Sequence, residues 1–336
     1  MRSAHRARLL GALLALTAGL TACAPELPQP DAPAIPAAAP PATTIEQSAR
    51  ILTAVGETVA AADAELSSTA LSDRVSGPAL TSRAAEYAVA AATSGADAPT
   101  ALPVEPQTLV VPTTTEWPRT QIVITEQPDD LTSPRLLVLE QASPRAPYTL
   151  WAWARLLPGV QMPATANPSV GADVVPPDAA DLVAAPADVV AQYADVLASG
   201  DGSAYAATFA TPDPYRQRIA EGRAVQEAAA ADGGTFAETY AAVPGQVVAH
   251  RTADGGALVV GGMTTTSTTT VTGASITVIP QYAAVSGGAL PAGAVLRNNL
   301  TVGWTDVVAF YVPPAGSDAP VQVLGAEHTY TSASGS

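Results

Sequence analysis

The sequence predicts an α+β fold built as two tandem domains. Apolar residues first recur at helical spacing over 45–59, and from about residue 107 the chain changes to short β-rich runs between Pro, Asp and Ser turns. The same order, helices first and strands last, then returns over 182–331. Strands separated by such short turns predict an antiparallel meander in each domain.

The first domain is predicted over 43–160. Thr43 and Glu46 fit a capping box, and the sequence Ser76-Gly77-Pro78 fits the start of a second helix, with proline in its first turn. The expected strands follow at 108–111, 121–125, 136–139 and 148–157.

A linker is predicted at 161–181, because this Pro-, Ala- and Gly-rich stretch has no periodicity. In the second domain, Pro186 and Asp213-Pro214 mark two helix starts. Strands are expected at 246–251, 257–272, 275–279, 295–304, 307–312 and 321–330, and 332–336 form a tail. The motif Arg-x-Ala-Glu occurs at 83–86 and again at 218–221, which fits either a duplicated domain or a chance match between alanine-rich helices.

The N-terminus predicts a secretory signal over residues 1–22. A basic segment precedes a short apolar run, and small residues lead to Cys23, the single cysteine of the chain. The tetrapeptide Leu-Thr-Ala-Cys at 20–23 resembles the lipobox of bacterial lipoproteins, which implies acylation of the Cys23 sulfur and anchoring on the extracytoplasmic face of the membrane. A plain secretory signal and an uncleaved signal anchor are the alternatives.

Residues 23–42 predict a tether. Prolines recur throughout this stretch, and large apolar residues are nearly absent. Such a chain extends by about 3.1 Å per residue, or roughly 60 Å in total.

The charge excludes several classes of partner. Removal of the three signal arginines changes the net charge from −15 to −15 − 3 = −18. A body this acidic disfavours nucleic acid and anionic lipid surfaces, so the acyl group is expected to supply the contact with the membrane. Every basic residue is arginine, and alanine is abundant, a composition that indicates a GC-rich, actinobacterial source.

Helices packed on a curved antiparallel sheet resemble the NTF2-like cone, and the whole chain is similar to an uncharacterised lipoprotein family of actinobacteria. The resemblance implies that each domain can enclose a pocket. It implies no particular activity.

Residues that could carry catalysis are sparse. His250 and His328 could lie on neighbouring strands and bind a metal, or share a proton with Glu327 or Asp254, but the pattern favours two sheet-surface histidines. The sequence has no nucleophile elbow, phosphate loop or Cys/His ligand cluster. We therefore predict no catalytic residue, metal site or cofactor.

Aromatic residues are the remaining candidates for binding. Trp151 and Trp153 are expected on one face of a strand and Trp304 on a later strand, where they fit either a core or a binding surface. The threonine-rich run 264–270 predicts an edge strand or protruding hairpin.

These observations favour a non-enzymatic binding module of the cell envelope. Its expected partner is an envelope protein, a glycan or a small apolar ligand. The alternative is an NTF2-like hydrolase or isomerase, and a deep pocket with a buried carboxylate would favour it.

Overall fold

One curled antiparallel sheet runs through both halves of the chain. The computed structural model describes residues 39–336 except 72, 129 and 130. Within this part the helices are α1 (Ile45–Glu65), α2 (Gly77–Ala92), α3 (Pro186–Ser199), α4 (Pro214–Ala230) and α5 (Pro280–Ala284). The strands are β1 (Pro106–Val110), β2 (Arg119–Thr125), β3 (Arg135–Gln141), β4 (Thr149–Leu156), β5 (Gly234–Arg251), β6 (Ala257–Val271), β7 (Ile276–Thr277), β8 (Val295–Leu296), β9 (Asn299–Val312) and β10 (Gln322–Gly335).

The helix starts follow the capping residues closely. The capping box of α1 lies one residue later than predicted: Thr44 accepts from the Gln47 backbone N–H, and the Gln47 side chain accepts from the Thr44 N–H. Thr43 is buried instead and hydrogen-bonds to Ser48 and Gln121. The predicted starts of α2, α3 and α4 are confirmed, each with proline in its first turn.

Eight strands of the described residues form the main sheet, in the order β1-β2-β3-β4-β10-β9-β6-β5. Each half contributes four strands in sequence order, and the last strands of the two halves meet in the middle. β4 and β10 pair only through Arg155 with Ala326 and Leu156 with Gly325. The fold is therefore α+β, with one sheet crossing the boundary at which we predicted separate domains.

The second half has longer strands than the sequence predicted. β5 begins at Gly234 rather than near 246, and β9 is one strand where two were expected. Residues 332–335, predicted as part of a tail, belong to β10. The segment between β6 and β9 contains β7, α5 and β8, which form a small apolar cluster with the ends of β9 and β10.

The sheet separates two apolar layers. On one face, α1 and α2 cover the first half, and α3 and α4 cover the second. On the other face, residues of both halves share one cluster, which includes Val138, Leu258 and Leu324. The predicted linker lies against this shared core: Ala172 is buried and bridges to Pro112, and Val174 bridges to His250.

A β-bulge separates the two tryptophans of β4. The pairing with β3 shifts between Val138 and Leu139, which leaves Trp151 as the extra residue. Trp151 consequently packs in the shared core, whereas Trp153 packs under α1 and α2. The prediction that both occupy one face is wrong because the bulge interrupts the two-residue period of the strand.

The threonine-rich run lies inside the sheet. β6 pairs with β5 on one side and with β9 on the other, so the prediction of an edge strand is wrong. Thr265 and Ser267 are buried toward the helices, whereas Thr264 and Thr266 are exposed on the opposite face. Threonine on both faces concealed which side would be covered.

A core substitution tests whether the halves form one cooperative unit. Leu324 of β10 is fully buried in the shared core. We expect Leu324→Ala to lower the free energy of unfolding by about 2–5 kcal/mol. Urea unfolding followed by circular dichroism and by tryptophan fluorescence should give one coincident transition, shifted in the variant. Two separate transitions, with only one of them shifted, would contradict a shared core.

Candidate functional site

A cavity lies where the two halves of the sheet part from each other. Beyond the Arg155–Ala326 pair, β4 and β10 make no further ladder pairs, and α2 packs against both strands. Beside this point, between α4 and the sheet, is a cavity of about 450 Å³, here named the junction cavity. Its charged and imidazole-bearing lining residues are Arg155, Arg218, Arg223, Glu238, Glu327 and His328.

One wall of the junction cavity is a fixed ion-pair cluster. The Arg223 Nε atom lies 3.3 Å from Glu238 Oε2, and its guanidinium also donates to Tyr240 Oη and to the carbonyl of Leu197. The Tyr240 hydroxyl donates to the same Glu238 oxygen at 2.6 Å. Burial, followed by the hydrogen bond to Glu238, raises the pKa of Tyr240, so this hydroxyl remains protonated. The cluster therefore places no unbalanced charge in the cavity.

The other two arginines that line the cavity have no ion-pair partner among the described residues. Arg155 and Arg218 have exposed side chains, and no carboxylate of the described residues lies within 4.0 Å of either guanidinium. Arg155 of β4 pairs with Ala326 of β10. Arg218 lies on α4, with its guanidinium carbon 5.2 Å from the centre of the Tyr215 ring. The two side chains give the cavity positive charge.

Glu327 is a largely buried acid beside these arginines. Its Oε2 atom is shielded from solvent and has no hydrogen-bond partner among the described residues. Burial raises the pKa of this carboxyl, and nearby Glu86 raises it further, while Arg135, Arg155 and Arg218 act in the opposite direction. On the side of α2, Glu327 and His328 also line a smaller cleft, together with Glu86 and Asp97.

His328 is held by a buried aspartate. The strand register places His328 opposite Asp306, and the Nδ1 atom lies 2.5 Å from Asp306 Oδ1. Asp306 is 0% exposed, and its other oxygen accepts a 2.6 Å hydrogen bond from the Thr265 hydroxyl. Since Nδ1 is occupied, Nε2 is the nitrogen free to meet a ligand.

Aromatic rings fix the plane of the imidazole. The Trp304 ring stacks on it at 4.0 Å and 5°, and the Tyr215 ring meets it edge-on at 6.4 Å. The Tyr215 hydroxyl and the Trp304 indole nitrogen are both buried without a hydrogen-bond partner in the described protein. A histidine oriented by a carboxylate and by stacking can accept or donate one proton at a defined position.

The two histidines do not form a pair. His250 lies on β5, which is separated from β10 by β9 and β6. It is completely buried, its Nε2 atom lies 2.9 Å from the Thr120 hydroxyl, and burial lowers its pKa to about 4. The prediction of neighbouring strands is wrong, and so is the alternative of two sheet-surface histidines.

The three candidate tryptophans have different environments. Trp151 and Trp153 are 8% and 1% exposed and lie within cores. Trp304 is partly buried and supports His328 beside the junction cavity. Cys23 lies outside the described residues. In the part of the chain that the structure describes, no helix is long and apolar enough to cross a membrane, and no group of three or more acidic, His or Cys residues could hold a metal ion.

Sequence reasoning missed the arginines and Asp306. A lone aspartate inside the apolar run of β9 was a usable signal, because a buried carboxylate requires polar partners. Arg155 and Arg218 carry no local signal, since 63 residues separate them and only the sheet order brings them together.

A second cavity lies at the far end of the long strands. It measures about 550 Å³ and is here named the tip cavity. Its apolar lining residues include Phe236, Val271, Ile276, Ile279, Tyr282 and Leu300. Such a lining fits the predicted small apolar ligand, and its titratable residues are Asp232 and Tyr282.

The pH dependence of stability tests the environment of Glu327. Because burial raises the pKa of this carboxyl above 4.5, Glu327 makes a contribution to stability that is lost as pH rises from about 4.5 through the pKa of the folded state. Glu327→Gln removes that loss. The variant should match wild type near pH 4 and become more stable toward pH 8, with a slope of at most about 1.4 kcal/mol per pH unit. Urea unfolding at each pH measures the difference, and a difference independent of pH would contradict the assigned environment.

Comparison with known proteins identifies the family. The family model described as a domain of unknown function (DUF8094) matches residues 39–335. No curated protein and no solved structure matches the chain. The match covers nearly all described residues, including the complete sheet and the junction cavity. The chain therefore belongs to the DUF8094 family.

Proposed function

We propose that this protein is a lipid-anchored, extracytoplasmic binding protein of the cell envelope, which holds a small ligand in the junction cavity. The observation that carries the proposal is the convergence of polar side chains on one cavity. Arg155, Arg218, Glu327 and His328 all line this cavity, and the buried Oε2 atom of Glu327 has no hydrogen-bond partner among the described residues, although such atoms ordinarily require one.

The anchoring part of the proposal rests on the sequence alone. The segment 1–22, the lipobox-like tetrapeptide and Cys23 support a cleaved, acylated N-terminus. Two acyl chains give durable attachment, and the Pro-rich residues 23–42 hold the body away from the bilayer. The arginine-only, alanine-rich composition supports an actinobacterial envelope as the location.

A duplicated architecture is part of the same proposal. The halves 43–160 and 182–331 each contain two helices followed by four antiparallel sheet strands, in the order expected of two NTF2-like units joined by the linker 161–181. The sheet order supports this origin because it places the fourth strand of each unit at the centre. The junction cavity then lies at the contact between the two copies.

An enzyme is the second candidate. Glu327 supplies a carboxyl with a raised pKa, and Asp306 orients the His328 imidazole, so the cavity contains groups able to act as acid and base in a hydrolase or isomerase. The two candidates differ in the fate of the ligand. Mass spectrometry of ligand recovered after incubation with the protein should show it unchanged for a binding protein and converted for an enzyme.

Detergent phase partitioning and metabolic labelling with palmitate test the anchor. Acylation of Cys23 predicts that wild-type protein enters the detergent phase and incorporates labelled palmitate. The Cys23→Ala variant should incorporate no palmitate and remain in the aqueous phase. Cys23→Ser should behave like Cys23→Ala, because its hydroxyl does not form the thioether. Equal labelling of wild type and both variants would exclude Cys23 as the lipidation site.

Filling the cavity tests the ligand site. Gly222 lies on α4 and lines the junction cavity, and a Cβ added there would meet no atom within 4 Å. Native mass spectrometry should find a small molecule retained by wild type and by Gly222→Ala and lost from Gly222→Trp. Gly222→Ala is also expected to raise the free energy of unfolding by about 0.5–1 kcal/mol, because alanine favours a helix interior. Retention by Gly222→Trp equal to that of wild type would place the ligand elsewhere.

A further inference from the structure

We propose that the junction cavity binds a small oxyanion, a carboxylate or phosphate group, through Arg155 and Arg218. This inference deepens the proposed function and rests on the junction cavity being a ligand site. It names the chemical class of the ligand, which the fold and the family leave open.

The first argument is the distribution of charge. The body of the protein is strongly acidic, with 30 acids and 15 arginines in the whole chain, three of them in the predicted signal. Three arginines nevertheless line one cavity. Glu238 balances Arg223, whereas Arg155 and Arg218 have no ion-pair partner among the described residues. Two cations that line one cavity repel each other, and an anion bound between them lowers that repulsion.

The second argument is the form of the two side chains. A guanidinium presents several N–H groups in a plane and binds carboxylate or phosphate oxygens in pairs. The face of the Tyr215 ring supports Arg218, and Tyr215 is itself fully buried. Arg155 leaves the sheet at the β4–β10 pair, so its backbone is fixed by the ladder. Both cations therefore start from rigid elements.

The third argument is the character of the remaining lining groups. Glu327 lies within electrostatic range of Arg155 and Arg218, and its buried Oε2 atom lacks a protein partner. Burial raises the pKa of this carboxyl, and a carboxyl that carries its proton can donate a hydrogen bond to an anion. Gln226 and His328 add further polar groups to the same lining. A cavity of about 450 Å³ has the size of small-ligand sites.

The experiment is isothermal titration calorimetry of the full chain, purified in detergent, with inorganic phosphate and, separately, acetate at low ionic strength. We expect saturable binding of at least one of these probes, and the stronger one identifies phosphate or carboxylate as the recognised group. Arg155→Gln and Arg218→Gln should each weaken binding at least tenfold. Arg297→Gln is the matched control, because Arg297 is exposed, forms no ion pair with a described residue and lies outside the cavity. It should leave the affinity within twofold of wild type.

Three outcomes would overturn the inference. The first is that neither probe binds. The second is that Arg297→Gln weakens binding as much as the cavity variants do. The third is that Arg155→Gln and Arg218→Gln bind like wild type while their circular dichroism and thermal midpoints are unchanged. Gly222→Trp separates this inference from the function on which it rests. If phosphate and acetate fail but a neutral molecule is retained by wild type and lost from Gly222→Trp, the anion is wrong and the cavity site stands. If wild type and Gly222→Trp retain ligand equally, both the cavity site and the oxyanion inference are wrong.

Discussion

The pairing of β4 with β10 is the contact on which the rest of the structure depends. Two residue pairs join two four-stranded sheets into one, and the ladder then ends as the strands diverge. On one face the joined sheets bury a single apolar cluster against the segment that follows β4. On the helix side the divergence leaves room for the junction cavity beside α4. The same short contact thus accounts for both the shared core and the site.

The buried Asp306 constrains the site more than any other side chain. A carboxylate removed from water requires hydrogen-bonding partners, because an unpaired one destabilises the folded state by several kcal/mol. Thr265 and His328 supply these partners from the two strands that flank β9. The position of His328 is therefore dictated by folding and not only by a ligand. Stacking on Trp304 adds a second restraint on the ring, so the site is ordered before anything binds.

Local features were predictable, and long-range ones were not. Capping residues and prolines placed the starts of α2, α3 and α4, because these signals act within a few residues. The bulge at Trp151 left no signal in the alternation of β4. The pairing of β4 with β10 joins segments about 170 residues apart, and the sequence of neither strand predicts which strand it pairs with. Arg155 and Arg218 were overlooked for the same reason, although composition alone made a group of arginines in so acidic a chain informative.

The most direct test of the account observes His328 itself. Selective ¹³C labelling of the histidine rings in the full chain gives few signals, because the sequence has three histidines, and His328→Gln assigns the relevant one. His250 serves as an internal reference, since burial holds its pKa near 4 and its ring is sealed from the cavity by β6 and β9. A junction cavity that receives ligand predicts that inorganic phosphate or acetate shifts the His328 signal in a saturable way and leaves His250 unchanged. A His328 signal that neither probe shifts, or that shifts only together with the His250 signal, would contradict the ligand site in the junction cavity.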